Sequence, residues 1–113
     1  MKLVDKYISL EELKVMSEKM FNKIVKAVVD IKKEIMVVDA GLHSDQEAFL
    51  LEYESQQEDL WGINFHPHEA VEDFIEFDSM INIRPAQNNR TRSVDNPIVQ
   101  EKIRKIIAEL VTK

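Results

Sequence analysis

The sequence predicts an α+β domain: a two-layer arrangement in which an antiparallel sheet of four to five strands carries two amphipathic helices on one face. Three observations lead there. An apolar stripe at helical spacing follows Ser9. Strand-like segments separated by short polar turns run through the middle of the chain. A second apolar stripe follows Asn96-Pro97. Consecutive strands with short turns favour an antiparallel meander, and amphipathic helices must bury their stripes against it. Residues 1–113 read as one domain.

The elements follow in order. Residues 3–8 read as a short edge strand. Ser9-Leu-Glu-Glu12 is a capping box, with Ile8 and Leu13 placed as a hydrophobic staple. Leu10, Leu13, Met16, Met20, Ile24 and Val28 then share one helical face, widened by Phe21 and Val25, and the helix is expected to end within residues 30–33. Residues 34–40 are apolar on both parities, which suggests a central strand. Gly41 to Asp45 turns the chain. Residues 47–54 follow as a strand with Phe49, Leu51 and Tyr53 on one face. Residues 60–66 form the next, with Trp61, Ile63 and Phe65 together, and Trp61 is read as core. The last strand spans 74–84 and is ended by Pro85, which has no ladder donor. Asn96 caps the second helix, with Pro97 at its first position and Val99, Ile103, Ile106, Ile107 and Leu110 as its stripe.

Composition narrows the function. At 113 residues and 44% hydrophobic, the chain can bury a core without metal or disulfide. It has no cysteine, which removes thiolate chemistry and fits a reducing compartment. The N-terminus lacks the apolar run of a signal peptide, and no stretch is apolar enough to span a membrane. A cytoplasmic location is expected. The net charge of −6 argues against nucleic acid as a partner. With only Gly41 and Gly62 there is no phosphate loop or dinucleotide fingerprint, and no cofactor is called for.

Strand parity yields the main site expectation. In 74–84, Ile75, Phe77, Ile81 and Ile83 share one face, while Glu76, Asp78, Asn82 and Arg84 share the other. In 60–66, Asn64 and His66 oppose the aromatic face. If both apolar sets meet the helices, these six polar residues gather on an open sheet face, where Gly62 lowers the floor. Such a face is equally the solvated side of an antiparallel sheet, laced with weak ion pairs. The loop that follows carries Arg84, Arg90 and Arg92, with no acid between Asp78 and Asp95. Arginine forks match phosphate and carboxylate, so this loop is expected to bind an anion. The ligand-binding candidates are therefore Arg84, Arg90, Arg92, Asn64, Asn82 and Asn89.

Other constellations carry less. Glu76 and Asp78 lie two apart on one face and are the candidate acid/base pair. His66-Pro-His68 with Glu72 has the spacing of the first metal motif of cupins, but no later histidine follows, so no metal site is expected. His43 and Asp45 near Glu47 read as turn and strand-start residues or as a catalytic dyad. No serine, threonine or cysteine stands in a nucleophile motif.

Asp59-Leu-Trp-Gly-Ile-Asn64, Glu76-Phe-Asp-Ser-Met-Ile-Asn-Ile-Arg-Pro85 and Asn89-Arg90 resemble the sequences of a small prokaryotic family known as a domain of unknown function. The resemblance extends over nearly the whole chain, including Ser9-Leu-Glu-Glu12. It implies a free-standing cytoplasmic protein and brings no activity. The residues themselves favour a non-enzymatic binding or interaction module that takes a small anionic ligand or pairs as a homodimer. The alternatives are a small hydrolase or ribonuclease-like enzyme and a structural subunit of an assembly.

Overall fold

The computed structural model describes residues 1–113. Its strands are β1 (Lys2–Val4), β2 (Ile8–Ser9), β3 (Val25–Asp30), β4 (Ile35–Val38), β5 (Leu60–Phe65), β6 (Ile75–Glu76) and β7 (Val111–Thr112). Its α-helices are α1 (Leu10–Ser17), α2 (His43–Glu52) and α3 (Pro97–Leu110). Five strands form one antiparallel sheet in the order β1-β4-β3-β5-β6. The short β2 and β7 pair in parallel and tie the start of α1 to the end of α3. The fold is α+β, as the sequence predicts. No helix is long and apolar enough to cross a membrane.

The serine cap forms: Ser9 Oγ accepts from the Glu12 amide at 3.0 Å, while the Glu12 carboxylate pairs with Lys2 instead of reaching back to the Ser9 amide. The helix it starts is shorter than expected. α1 stops at Ser17, Lys23 takes a left-handed φ of 58°, and residues 25–30 become β3. Val25-Lys-Ala-Val-Val29 is β-branched on both parities, and pairing on both sides with β4 and β5 outweighs its helical periodicity. Phe21, expected on the buried stripe, is fully exposed. Asp30 closes the β3–β4 turn. Its Oδ1 accepts the Lys32 and Lys33 amides, and its Oδ2 accepts the Ser55 hydroxyl at 2.6 Å.

Residues 47–54, expected as a strand, lie in α2 and the turn after it. Phe49, Leu51 and Tyr53, whose alternation suggested that strand, are all exposed. The face of α2 that meets the sheet is instead His43, Gln46 and Leu50, at helical spacing. Gln46 Nε2 donates to the Lys26 carbonyl at 2.7 Å and pins the helix to β3.

The core is divided by the sheet. On one face, Leu13 of α1 and Ile103, Ile106, Ile107 and Leu110 of α3 pack with Val25, Ala27, Val29, Trp61, Ile63 and Phe65. This is the two-helix layer that the sequence predicts. On the other face, Val28, Val37, Leu50 and Leu60 form a smaller cluster beneath α2 and Ile81. The face expected to be open is thus roofed over part of its area.

The roof explains the fate of the last strand. Only β6 survives of 74–84; Met80–Asn82 turns as a 3-10 helix. Ser79 Cβ and Oγ would lie 2.6 Å from a Cβ placed on Gly62, so the glycine admits this close crossing. Asn82 then stands in for a ladder residue. Its Oδ1 accepts the Gly62 amide at 2.8 Å, and its Nδ2 donates to the Gly62 carbonyl at 3.0 Å. A side-chain amide thereby continues the sheet edge where the backbone has left it.

Candidate functional site

Where the roof is incomplete, a cleft of about 400 Å³ opens on this second face. Its walls include Ile24 and Lys26 at the start of β3, Leu42, His43 and Ser44 at the start of α2, Asn64 of β5, residues 78–81, and Arg92. Register builds its floor. Lys26 pairs with Asn64, and Asn64 pairs with Glu76, so these three residues form a row across β3, β5 and β6.

Asn64 is 4% exposed. Its Nδ2 donates to Glu76 Oε1 at 3.0 Å and to the Asp78 carbonyl at 3.1 Å. Both partners are acceptors, so the amide orientation is fixed. Its Oδ1 is buried and faces His43, whose protonated imidazole would donate to it. Glu76 also receives the His66 Nε2–H at 3.2 Å. Burial pushes the Glu76 carboxyl up, but the bonds from Asn64 and His66 and the charges of His66 and Lys26 hold it below the usual range. Arg92 Nε donates to Asp78 Oδ1 at 2.7 Å, and both side chains are substantially solvated.

His43 completes the cleft. Its Nε2 lies 2.8 Å from the Ile63 carbonyl. A carbonyl only accepts, so Nε2 carries the proton and Nδ1 is the free base. Burial holds the imidazole below its ordinary value of 6.5; the Ile63 bond, Asp78 and Asn64 pull it up, and the Lys26 charge pushes it down. The unfolded chain therefore takes up this proton first. Stability should be level down to about pH 6.5 and then fall with pH until the folded-state value is passed, at no more than about 1.4 kcal/mol per unit. Urea unfolding between pH 7.5 and 5 checks this, and His43→Gln should remove the slope. Carboxylate effects belong to lower pH, near 4.5 and below.

The predicted site residues divide. Asn64, Glu76, Asp78 and Arg92 come together in the cleft. Asn82, fully buried, holds the Gly62 backbone and donates to the Arg92 carbonyl at 3.0 Å, which positions Arg92 from behind. Asn89, also buried, donates to the Asn82 and Ser93 carbonyls, and its Oδ1 accepts the Asp95 amide at 2.7 Å. It organises the loop from within. Arg90 extends into solvent, and its backbone amide bonds Asp95.

Arg84 is an anchor. It donates to the Gln57 and Leu60 carbonyls, and its guanidinium stacks 4.2 Å from the Trp61 ring centroid. Burial lowers its pKa. Arg84→Ala should therefore destabilise the fold by about 1–2 kcal/mol in urea unfolding, while leaving anion affinity unchanged. The two histidines of the cupin-like spacing diverge. His66 meets Glu76 and His68 meets Glu18, and no three His, Asp or Glu side chains converge into a metal-holding group.

Lys26, Leu42, His43 and Ser44 were outside the sequence-derived site. The sequence pattern puts Lys26 in a helix and His43 in a turn or dyad, and neither placement brings it beside Asn64. The recoverable signal was the β-branched run around Lys26, which reads as a strand as readily as a helix. No curated protein and no solved structure matches the chain. The family model described as "Protein of unknown function (DUF5674)" matches residues 2–110, nearly the whole length, and the chain belongs to that family.

Proposed function

We propose that the protein is a binding module whose cleft takes a small anionic ligand. One observation carries this reading: Lys26 and Arg92 line one cleft, and Arg92 is engaged there only through Nε. Glu76 and Asp78 offset the charge of Lys26 and Arg92 in this lining, but Arg92 engages Asp78 through Nε alone and keeps its Nη donors for an anion. The arginine that matters is Arg92 rather than the whole loop.

Calorimetric titration with inorganic phosphate at low salt tests the reading. Wild-type protein should bind, Arg92→Ala should bind about tenfold more weakly or worse, and Arg90→Ala should match wild type. Absence of binding to wild type, or equal loss in both variants, would overturn it.

A second reading, a small hydrolase or ribonuclease-like enzyme with Glu76 and Asp78 as acid/base groups, is favoured by one feature. The cleft also holds a histidine whose tautomer is fixed and whose pKa is depressed by burial, a suitable general base at neutral pH. Hydrolysis of a chromogenic phosphodiester that disappears in His43→Gln would support it.

A further inference from the structure

With His43 neutral, the charge of the cleft is balanced. Lys26 and Arg92 share one lining with Glu76 and Asp78, so cations and carboxylates cancel. His43 is the remaining titratable group of that lining, and it is buried. Its surroundings come from several elements. β5 supplies the Ile63 carbonyl, which accepts the Nε2 proton, and the buried Asn64 Oδ1. β3 supplies Lys26, β6 supplies Glu76, and the chain beyond β6 supplies Asp78 and Arg92. Asp45 and Glu47, on the same helix as His43, lie outside the lining. In the neutral imidazole, Nδ1 and the Asn64 Oδ1 that faces the ring are both acceptors. Asn64 cannot turn to offer a donor, because its Nδ2 is held by Glu76 Oε1 and the Asp78 carbonyl. One proton on Nδ1 satisfies both atoms.

Resting on the anion-binding reading above, we infer that His43 and Asn64 form a proton-binding site that switches the cleft toward anions. The proton that Nδ1 donates to Asn64 Oδ1 leaves the lining with one positive charge in excess, next to Lys26 and Arg92. In a partly water-excluded wall that charge acts more strongly than one on the open surface. By linkage, an anion that prefers the charged form must hold the proton more tightly in return. The device works below neutrality, because histidine ordinarily titrates at 6.5 and burial lowers that value here, whereas Glu76 is held below the usual carboxylate range and stays ionised. His66 differs: it bonds Glu76 through Nε2 from outside the lining.

The test uses the full chain, with sulfate as the probe because its charge stays constant over this range. Nitrogen NMR of the labelled imidazoles, without ligand, follows His43 from about pH 7.5 down to about pH 5. Nδ1 should gain the proton, and the Asn64 side-chain amide should move with the same midpoint. Sulfate should raise that midpoint, a readout that needs no variant. It should also bind about fivefold tighter or more at about pH 5.5 than at about pH 7.5. His43→Gln should bind sulfate equally at both, and His66→Gln should keep the dependence. If the Asn64 amide does not follow His43, the proton site is wrong. If sulfate binds without raising the His43 midpoint, or if His43→Gln keeps the pH dependence, the coupling is wrong while the anion site stands. Sulfate that binds at neither pH overturns the anion reading itself, and the switch with it.

Discussion

Asn82→Ala should lower the unfolding free energy by about 3–4 kcal/mol, because it strips partners from three backbone groups at once. Asn82 Oδ1 is the acceptor for the Gly62 amide, and Nδ2 serves both the Gly62 and Arg92 carbonyls. The Gly62 groups are buried between the sheet and the roof, where water cannot readily replace the lost bonds. A domain with a total stability of about 5–15 kcal/mol would lose a substantial share of it. Urea unfolding at pH 7.5 measures the effect, and a loss under about 1 kcal/mol would mean that the segment is held by other contacts. The same variant should loosen Arg92, so its phosphate affinity should fall in parallel. Arg84→Ala, equally placed in the segment but turned away from the cleft, should not show that second effect.

Gly62→Ala is expected to cost about 1–3 kcal/mol by overpacking. The added methyl would lie 2.6 Å from Ser79 Cβ and Oγ and 3.2 Å from Ile81 Cγ1, so the 79–82 segment must lift off β5. Gly41, where an added Cβ meets nothing within 4 Å, provides the control, and Gly41→Ala should unfold close to wild type. Because Ser79, Met80 and Ile81 line the cleft, lifting them should also alter the amide resonances of Asn64 and Lys26. Equal unfolding midpoints for the two glycine variants would contradict the close crossing.

The parts legible in the sequence were those that depend on local pattern. The Ser9 cap, the Asn96-Pro97 start of α3 and the alternation of β5 form as read, because each is set by neighbouring residues. Parity in β5 also puts Asn64 opposite Trp61, Ile63 and Phe65, on the face where the cleft opens. Other features depend on distant partners. Val25–Asp30 has both helical and strand periodicity, and only flanking strands on both sides decide between them. In α2 the sheet-facing side is His43, Gln46 and Leu50, with two polar members that carry no hydrophobic signal. The exposed Phe49, Leu51 and Tyr53 imitate a strand instead. The departure of 77–84 from the ladder depends on an asparagine replacing backbone partners, and a period of two cannot reveal that. Arg84 looked like a ligand fork and is an internal fastener, because its carbonyl partners are 24 and 27 residues away.

Two-dimensional amide NMR of labelled protein, titrated with inorganic phosphate at low salt, tests the cleft most directly. An anion site there predicts saturable shifts at Lys26, His43, Ser44, Asn64, Asp78 and Arg92, with Arg90 and the Arg84 region unmoved. Shifts confined to Arg90 and its exposed neighbours, or none at any residue, would contradict it.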